Sequence, residues 1–594
     1  MPVARTFSIA LVGVEGHRVL IEADIENGLP GLLLVGLPDT ALREARDRIR
    51  AAIVNSAEQW PQRRITVGLS PASLPKRGSG FDLGIAVAIL AAAGTVPAAA
   101  IDGVTFLGEL GLDGQLRPVQ GVLPSVAAAA AAGCGRVVVA EANAAEAALV
   151  PGLRVAGAAT LAALLDWLRA GAGPGSGKEG RSRRAGRRER PAQQEPPVQV
   201  IETGTGLDCA GIGPGAGPGP GAGAGAGVPG GSGPGAGAVV SRTGPRLPAG
   251  SGPGAPAAPG HGTPADPVPG KSPAGQPDLA DVLGQPAARR AAEICAAGGH
   301  HLLLLGPPGA GKTMLAERIP GILPPLSRAA ALEVTSIHSV AGTLPAGRPL
   351  ITGPPFCAPH HTATKAAIVG GGSGVIRPGA ASLAHRGCLF LDEAPEFGRD
   401  VLDALRQPLE SGEVVVARSG VTASFPARFT LVMAANPCPC GGGPPPRSAC
   451  TCSPAVRRRY LARLSGPLLD RVDLKAEFFP VTRRELLSDR GFAEPSRLVA
   501  ERVAAARGRA ATRLRGTPWQ ANAEIPGSEL RRGFPPASGA LAPLERAMDL
   551  GELSARGADR VIRVAWTLAD LAGVARPTAA ETSYALGLWL GVAR

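Results

Sequence analysis

One glycine-rich segment, Gly306–Thr313, restricts the fold of this 594-residue chain more than any other stretch. It reads GPPGAGKT and directly follows the run His301–Leu305, which is apolar after its first residue. Glycines let backbone amides approach phosphate oxygens, and such a loop lies between a strand and the start of a helix. We therefore predict a strand over 301–305, a helix from about Lys312 and a phosphate-binding loop between them.

The predicted loop has the side chains needed to bind ATP with magnesium. Lys312 would reach the β- and γ-phosphates, and the Thr313 hydroxyl would bind Mg²⁺. The alternative is a glycine-rich turn that arose by chance, which the flanking strand and helix disfavour. The residues assigned to ATP by this loop are Gly306, Pro307, Pro308, Gly309, Ala310, Gly311, Lys312 and Thr313.

Two further apolar runs end in polar residues suited to the same site. Cys388–Leu391 is followed by Asp392 and Glu393, and Leu431–Ala435 is followed by Asn436. Asp392 can hold Mg²⁺, Glu393 can polarise the attacking water as a general base, and Asn436 can orient that water. Such an acidic strand end is a weak signal alone, but downstream of a phosphate loop it predicts a hydrolytic site.

Composition and periodicity divide the chain into four parts. Residues 1–169 mix strand and helix patterns and predict an α+β domain. Residues 170–277 are rich in Arg, then in Gly and Pro, and predict a disordered linker, because they cannot bury enough apolar surface. Residues 278–480 alternate strands with helices and predict an α/β domain with a parallel sheet, and 481–594 predict a helical lid.

Individual elements follow from the same patterns. The arginine-rich run at 181–190 is either a solvated tail or a DNA contact. Glu413–Ala417 and Val421–Phe425 predict a β-hairpin with Arg418 near its tip. In the first part we predict strands over 19–24, 65–69, 104–110 and 115–119, and helices over 40–55 (capped by Asp39) and 82–93.

The charge of the chain favours a polyanionic partner. The formal net charge is +13 and the pI is about 9.9, a balance typical of proteins that contact nucleic acid. Aromatic residues make up only 3%, so contacts with the phosphate backbone are favoured over base stacking. The N-terminal residues lack the apolar stretch of a signal peptide, and 122–142 favour a helix and a strand over a membrane span. We therefore expect a cytoplasmic protein without a membrane partner.

Four of the nine cysteines are close together in sequence, as Cys438, Cys440, Cys450 and Cys452. This usage does not suit a secreted disulfide framework and points to a reducing compartment. Four thiolates suit tetrahedral Zn²⁺, and an irregular Gly- and Pro-rich loop would benefit from a structural metal. Four reduced thiols in a surface loop are an equal alternative, and we expect no catalytic zinc.

Taken together, these motifs resemble a known family. AAA+ ATPases combine a phosphate loop, an acidic strand, a polar sensor at a strand tip and an arginine from a neighbouring subunit. Within them the chain is similar to the Mg-chelatase-like branch, and most closely to the ComM/YifB group. The similar segments are 306–326, 355–372, 387–397, 406–418, 436–441 and 465–474, and in the first domain 36–53, 74–90 and 106–124.

The resemblance implies further site residues. Arg471 looks like the arginine finger, which reaches the ATP of a neighbouring subunit, and Arg556 looks like a second sensor on the lid. The alternative for each is a surface ion pair. A finger that acts in trans implies an oligomer, and rings of this family are hexamers. The pair His360–His361 resembles a family motif that is either structural or a zinc pair, and Cys357 stands where relatives often have arginine.

The first domain resembles the protease domain of Lon, an α+β fold related to domain 2 of ribosomal protein S5. Lon uses a serine nucleophile activated by a lysine. The matching segments place Gly80 and Leu123 at those two positions, whereas Ser79 and Lys76 are out of register. The resemblance therefore implies a degenerate domain without proteolytic activity, which would serve in assembly or DNA contact.

The function implied by the resemblance is that of a DNA-translocating ring ATPase, a helicase for branch migration in recombination or natural transformation. Its partners would be branched or single-stranded DNA and further copies of the chain. A hairpin such as 413–425 grips substrate in this branch, although a plain exposed hairpin is equally compatible with the sequence. The alternative is a metal-insertion or remodelling ATPase like the chelatase subunit, but the Lon-like domain and the cysteines argue against it, and we expect no porphyrin. A third interpretation is an ATP-dependent protease, but the missing serine–lysine dyad argues against it.

Overall fold

The structure is a computed structural model that describes residues 3–36, 41–76, 78–170, 198–203, 277–345, 347–372, 376–418, 421–441, 450–481 and 493–592. The predicted cap Asp39, the arginine-rich run at 181–190 and the remaining predicted linker lie outside these ranges. No helix in the described ranges is long and apolar enough to cross a membrane.

The N-terminal domain is built on an eight-stranded mixed sheet in the order β10-β9-β8-β5-β1-β2-β4-β3. The sheet strands are β1 Ala4–Val12, β2 Glu15–Glu26, β3 Gly31–Val35, β4 Arg64–Ser70, β5 Val104–Leu107, β8 Arg136–Ala140, β9 Arg154–Ala158 and β10 Gln199–Glu202. A small hairpin comprises β6 Glu109–Leu110 and β7 Leu116–Arg117. The helices are α1 Ala41–Asn55, α2 Asp82–Ala92, α3 Ala98–Ile101, α4 Val122–Ala131, α5 Ala144–Ala147 and α6 Leu161–Arg169.

Helix α2 is the centre of this domain. Ten of its 11 residues are buried, as expected for a helix that is apolar on all sides. Gly84 allows the close approach, because a Cβ there would lie 2.8 Å from Ile21 Cδ1 of β2. The strands and helices predicted over 19–24, 65–69, 40–55 and 82–93 are confirmed by β2, β4, α1 and α2.

The prediction of a linker over the whole of 170–277 is wrong for residues 198–203. Strand β10 pairs antiparallel with β9, from Gln199 opposite Gly157 to Glu202 opposite Arg154. Thr203 fixes the end of this pairing, since its hydroxyl accepts from Leu153 N at 2.8 Å and donates to Leu153 O at 2.6 Å. A short segment that composition alone assigned to the linker therefore pairs with the exposed edge of β9.

The central domain contains a five-stranded parallel sheet in the order β12-β13-β16-β11-β17. Its strands are β11 Leu302–Leu305, β12 Phe356–Cys357, β13 Cys388–Leu391, β16 Thr430–Ala435 and β17 Leu474–Glu477, and β14 Glu413–Arg418 pairs with β15 Val421–Pro426 as the predicted hairpin. Its helices are α7 Pro286–Gly298, α8 Lys312–Ala316, α9 Arg328–Ala341, α10 Lys365–Val369, α11 Ala380–Leu383, α12 Arg399–Ala404, α13 Arg406–Ser411, α14 Pro454–Leu461 and α15 Gly466–Leu469.

The C-terminal part is helical, as predicted for a lid. Its helices are α16 Ser496–Arg513, α17 Gly527–Gly533, α18 Ala542–Asp549, α19 Ala555–Ala572 and α20 Ala579–Leu590. Helices α16 and α19 pack on α7, and the buried side chains of the lid form one apolar cluster with the sheet. The lid is therefore packed directly on the domain that carries the phosphate loop.

The N-terminal domain contacts the central domain at α9 and at the hairpin β14–β15. We call this surface the domain contact. The hydroxyl of Ser339 in α9 donates a hydrogen bond to the buried carboxylate of Glu146. The backbone carbonyl of Ser339 accepts a hydrogen bond from Gly121 N at 3.1 Å. At the hairpin, Gly13 lies so near Ser424 that a Cβ would come within 2.7 Å of its carbonyl oxygen. An apolar cluster completes the surface and comprises Leu11, Val12, Val14, Val340, Ile376, Ala423 and Phe425.

Candidate nucleotide site

The glycine-rich loop begins where β11 ends and is held against neighbouring strands. Gly306 N donates to Ala435 O of β16 at 3.2 Å, and a Cβ at Gly306 would lie 2.5 Å from Phe478 Cβ, so only glycine fits. Gly309 and Gly311 have φ of +73° and +94°, the left-handed region that glycine enters without steric cost. Helix α8 then starts at Lys312, as predicted.

Lys312 is buried inside this loop. Its Nζ donates to Gly306 O at 2.8 Å, to Pro307 O at 2.9 Å and to Asn436 Oδ1 at 3.0 Å. Burial lowers the pKa of Lys312, while the nearby carboxylates of Asp392 and Glu393 oppose this shift. The contact with Asn436, which follows β16, brings together the residue predicted to reach the β- and γ-phosphates and the residue predicted to orient the attacking water.

Thr313 and Asp392 meet at the carboxyl edge of the sheet. The Thr313 hydroxyl donates to Asp392 Oδ2 at 2.7 Å, and Asp392 Oδ1 accepts from Glu393 N at 2.9 Å. A hydroxyl and a carboxylate are hard oxygen ligands of the kind that Mg²⁺ takes together with water and phosphate. The pair therefore fits the magnesium role predicted from the sequence.

Glu393 adopts an unusual backbone conformation at the end of β13. Its φ is +50° and ψ is 43°, a left-handed region uncommon for residues other than glycine and concentrated at functional sites. The side chain is exposed, and Glu393 Oε2 lies 3.3 Å from His361 Nδ1. An accessible carboxylate beside the Thr313–Asp392 pair is the geometry expected of a general base.

His361 is therefore a site residue whose role the sequence left open. Its ring lies 4.1 Å from that of His360, measured between centroids. Neither histidine belongs to a group of three or more metal-ligating side chains in the described ranges, and the zinc pair stays a prediction. Sequence reasoning could not assign this role, because only the folded structure shows that the His360–His361 pair lies beside the acidic end of β13.

The two arginines implied by the resemblance are not brought to this chain's own phosphate loop. The Arg471 guanidinium pairs with Glu410 and donates to Pro467 O at 2.6 Å. Arg556, the second residue of α19, is exposed, and its side chain makes no hydrogen bond or ion pair with any described residue. Their roles toward ATP stay predictions.

A buried network missed by sequence reasoning joins the lid to the strand after Arg471. Arg560 of α19 donates to Asp473 Oδ1 at 2.6 Å and to Arg471 O at 3.0 Å. Asp473 Oδ2 lies 3.2 Å from His300 Nδ1, and His300 Nε2 lies 2.8 Å from Thr567 Oγ1. Burial alone would raise the pKa of Asp473, but His300 and Arg560 lower it well below its usual range. The lid is thus fixed by charge to the segment that carries the candidate finger.

The four clustered cysteines converge beside the phosphate loop. Their sulfur atoms all lie within 4.8 Å of one another. Gly441, which follows Cys440, packs on the loop, since a Cβ there would lie 3.0 Å from Pro308 Cγ. The predicted cluster is therefore brought together in space and lies next to the nucleotide site.

The N-terminal domain shows no serine–lysine dyad at the positions considered from the sequence. Lys76 is buried and donates to the carbonyl oxygens of Pro71 and Leu74, the latter at 3.1 Å. Ser79 donates to Glu109 instead. Gly80 and Leu123, which match the dyad positions, have no nucleophile or base.

Comparison with known proteins agrees with this arrangement. Family models match along most of the described chain: "Magnesium chelatase, subunit ChlI" over residues 278–486, "Subunit ChlI of Mg-chelatase" over 21–143 and "Magnesium chelatase, subunit ChlI C-terminal" over 493–588. The competence protein ComM of Haemophilus influenzae is 37% identical over 577 residues, which is 96% of this chain and 94% of that protein. This chain belongs to the ComM/YifB family of Mg-chelatase-like ATPases.

Other relatives are also similar over nearly their whole length. YifB of Escherichia coli is 38% identical over 563 residues, 95% of this chain and 92% of that protein. An uncharacterised protein of Mycobacterium tuberculosis is 45% identical over 586 residues, 99% and 98% of the two chains. By contrast, the magnesium-chelatase 38 kDa subunit of Cereibacter sphaeroides is 39% identical over only 66 residues, 11% of this chain and 20% of that subunit.

Proposed function

We propose that this protein is a ring ATPase that couples ATP hydrolysis to movement along branched or single-stranded DNA. The observation that carries the ATPase part is the convergence of Lys312, Thr313, Asp392 and Asn436, with Glu393 beside them. Loop amides and Lys312 would bind the phosphates. Thr313 and Asp392 would hold Mg²⁺, which when bound neutralises charge on the phosphates. Glu393 would accept the proton of the attacking water.

The assignment of Arg471 to a neighbouring subunit's ATP supports a ring. Its guanidinium is held by Glu410 and not by its own chain's loop, so it would have to reach a second copy. Such head-to-tail contacts close into rings, and we propose a hexamer.

A mixing experiment tests action in trans. Lys312→Ala and Arg471→Ala proteins should each be inactive, whereas a co-assembled equimolar mixture should regain about one quarter of wild-type ATPase, since one interface in four pairs an intact loop with an intact finger. Zero activity in a mixture shown to co-assemble contradicts the trans role.

DNA as the substrate is supported by the net charge of +13 and by the named role of one relative in competence. The hairpin β14–β15 offers an exposed contact, because Arg418 is exposed and donates a hydrogen bond to Gly372 O at 3.2 Å. Phosphate contacts by arginine would weaken with salt. The metal-insertion alternative is disfavoured by the short match to the chelatase subunit.

The decisive experiment measures unwinding of a forked DNA and ATPase with and without DNA. Wild type should unwind the fork and hydrolyse ATP faster with DNA. Lys312→Ala should lose both activities, and Arg418→Ala should lose unwinding while keeping DNA-independent ATPase. Arg399→Ala is the matched control, since Arg399 is also exposed but lies outside the hairpin. Full ATPase with neither DNA binding nor unwinding would refute the DNA assignment.

A further inference from the structure

Four thiols lie close enough together to bind a single metal ion. We call this group the cysteine cluster: Cys438, Cys440, Cys450 and Cys452. The Sγ of Cys438 lies 3.1 Å from that of Cys440 and 3.4 Å from that of Cys450, and the Cys440–Cys450 distance is 3.5 Å. A tetrahedral zinc with bonds of about 2.3 Å sets its sulfurs roughly 3.8 Å apart. A disulfide would need about 2.05 Å. The observed spacing is thus far closer to the metal geometry.

We infer that the cysteine cluster binds one Zn²⁺ through four thiolates and that this ion holds residues 436–441 and 450–453 against the candidate nucleotide site. Four protein ligands leave no open position, so the ion would be structural and not catalytic. The inference stands on the cluster itself and does not depend on DNA being the substrate.

The chain around the cluster has little else to fix it. Between Asn436 and α14 the sequence is dominated by Gly, Pro and Cys, and within its described part only Cys438 is a buried apolar side chain. Cys452 O accepts Arg457 Nε at 3.2 Å, which ties the cluster to the first turns of α14. A segment without a core of its own is the kind that a metal organises, because binding energy replaces the missing burial.

The position of the cluster links the ion to ATP. Cys438 lies two residues after Asn436, the partner of Lys312, and Gly441 packs on Pro308 of the phosphate loop. Arg463 lies just after the C-terminal end of α14. It donates to Glu396 Oε2 at 2.8 Å and to Pro395 O at 3.3 Å, and both acceptors belong to the turn that follows Glu393. The loop and helix therefore bridge the phosphate loop and the general-base turn.

Metal content of the full-length, tag-free protein tests the site directly. Wild type purified under reducing conditions should contain about one zinc per chain by elemental analysis, and the double variant Cys450→Ser/Cys452→Ser should contain none. Cys209→Ser is the matched control, because Cys209 lies in the Gly- and Pro-rich segment and should leave the zinc unchanged. Wild type that carries no zinc and takes up none when it is added would overturn the inference.

Cobalt substitution protects the test against a variant that fails to fold. Wild type stripped of metal and titrated with Co²⁺ should show the intense visible absorption of a tetrahedral tetrathiolate site, saturating at about one equivalent. Weak octahedral bands, or no saturation, would overturn the four-thiolate site.

The link to ATP has its own readout. Stripped wild type should lose at least several-fold in ATPase rate and regain it with Zn²⁺. An unchanged rate with zinc loss proven would refute the bracing role while leaving the metal site intact. If the zinc site holds but no DNA is unwound, only the proposed function fails.

Discussion

Replacing Arg560 with alanine tests how firmly the lid is attached to the ATPase sheet. The change removes the ion pair with Asp473 at 2.6 Å and the bond to Arg471 O at 3.0 Å. Asp473 is 2% exposed, and among the described residues its carboxylate would keep only His300 as a hydrogen-bond partner. Breaking a buried pair by removing one side costs about 3–5 kcal/mol. For a domain of this size we expect Tm to fall by roughly 6–20 °C.

Thermal unfolding followed by circular dichroism, without nucleotide, measures the effect. Arg556→Ala is the matched control, because Arg556 lies one helical turn earlier on α19 but is exposed and its side chain has no partner among the described residues. It should change Tm by less than about 2 °C. Arg560→Lys should fall between the two, because it keeps the charge but loses the planar fork. If the Arg560→Ala protein has the same Tm as the Arg556→Ala control, the network does not hold the lid.

The same network predicts a pH dependence with a definite sign. The pKa of Asp473 is lowered in the folded chain, so its stabilisation is complete above the unfolded-state pKa of about 3.9 and is lost as pH falls below it. The Tm difference between wild type and Asp473→Asn should therefore be constant near neutral pH and narrow below about pH 4. A difference that grows on acidification would contradict this assignment.

Three shorter predictions concern the site and the domain contact. Glu393→Gln should bind ATP with wild-type affinity but lose about 10²–10⁴-fold in hydrolysis rate, and equal loss of binding would argue against a general base. His361→Ala should lower kcat more than it raises KM, because His361 Nδ1 lies 3.3 Å from Glu393 Oε2 and would orient that carboxylate; an unchanged kcat would leave His361 with a structural role only. Ser339→Ala should weaken the domain contact by about 1.5–3 kcal/mol, because the buried Glu146 loses a donor, and faster amide exchange in α4 and α9 would report it. Unchanged exchange in both helices would show that the hydroxyl is dispensable.

Much of the fold and of the nucleotide site could be predicted because the signals are local. The apolar runs before Gly306, Asp392 and Asn436 predicted three strands, and parallel pairing places their carboxyl ends together. The contact between Lys312 and Asn436, 124 positions apart, follows from that topology.

Other features depend on side chains that meet only after folding, and the sequence carries no mark of them. The sensor role of Arg556, assigned from its motif, stays a prediction, whereas nothing in the motif indicated the buried contacts that Arg560, one turn later, makes with Asp473 and Arg471 O. The partnership of His361 with Glu393 and the pairing of β10 with β9 are of the same kind. A short segment such as β10 is decided by the free strand edge beside it and not by its own composition.

The domain contact has a practical consequence for anyone who shortens this chain. A fragment that begins at residue 278 would expose Val340, Ala423 and Phe425, which are buried under the first domain. Exposed apolar patches of this kind promote self-association. Such a fragment would be prone to precipitate, and polar replacements at these three positions would be the rational first step toward a soluble minimal ATPase.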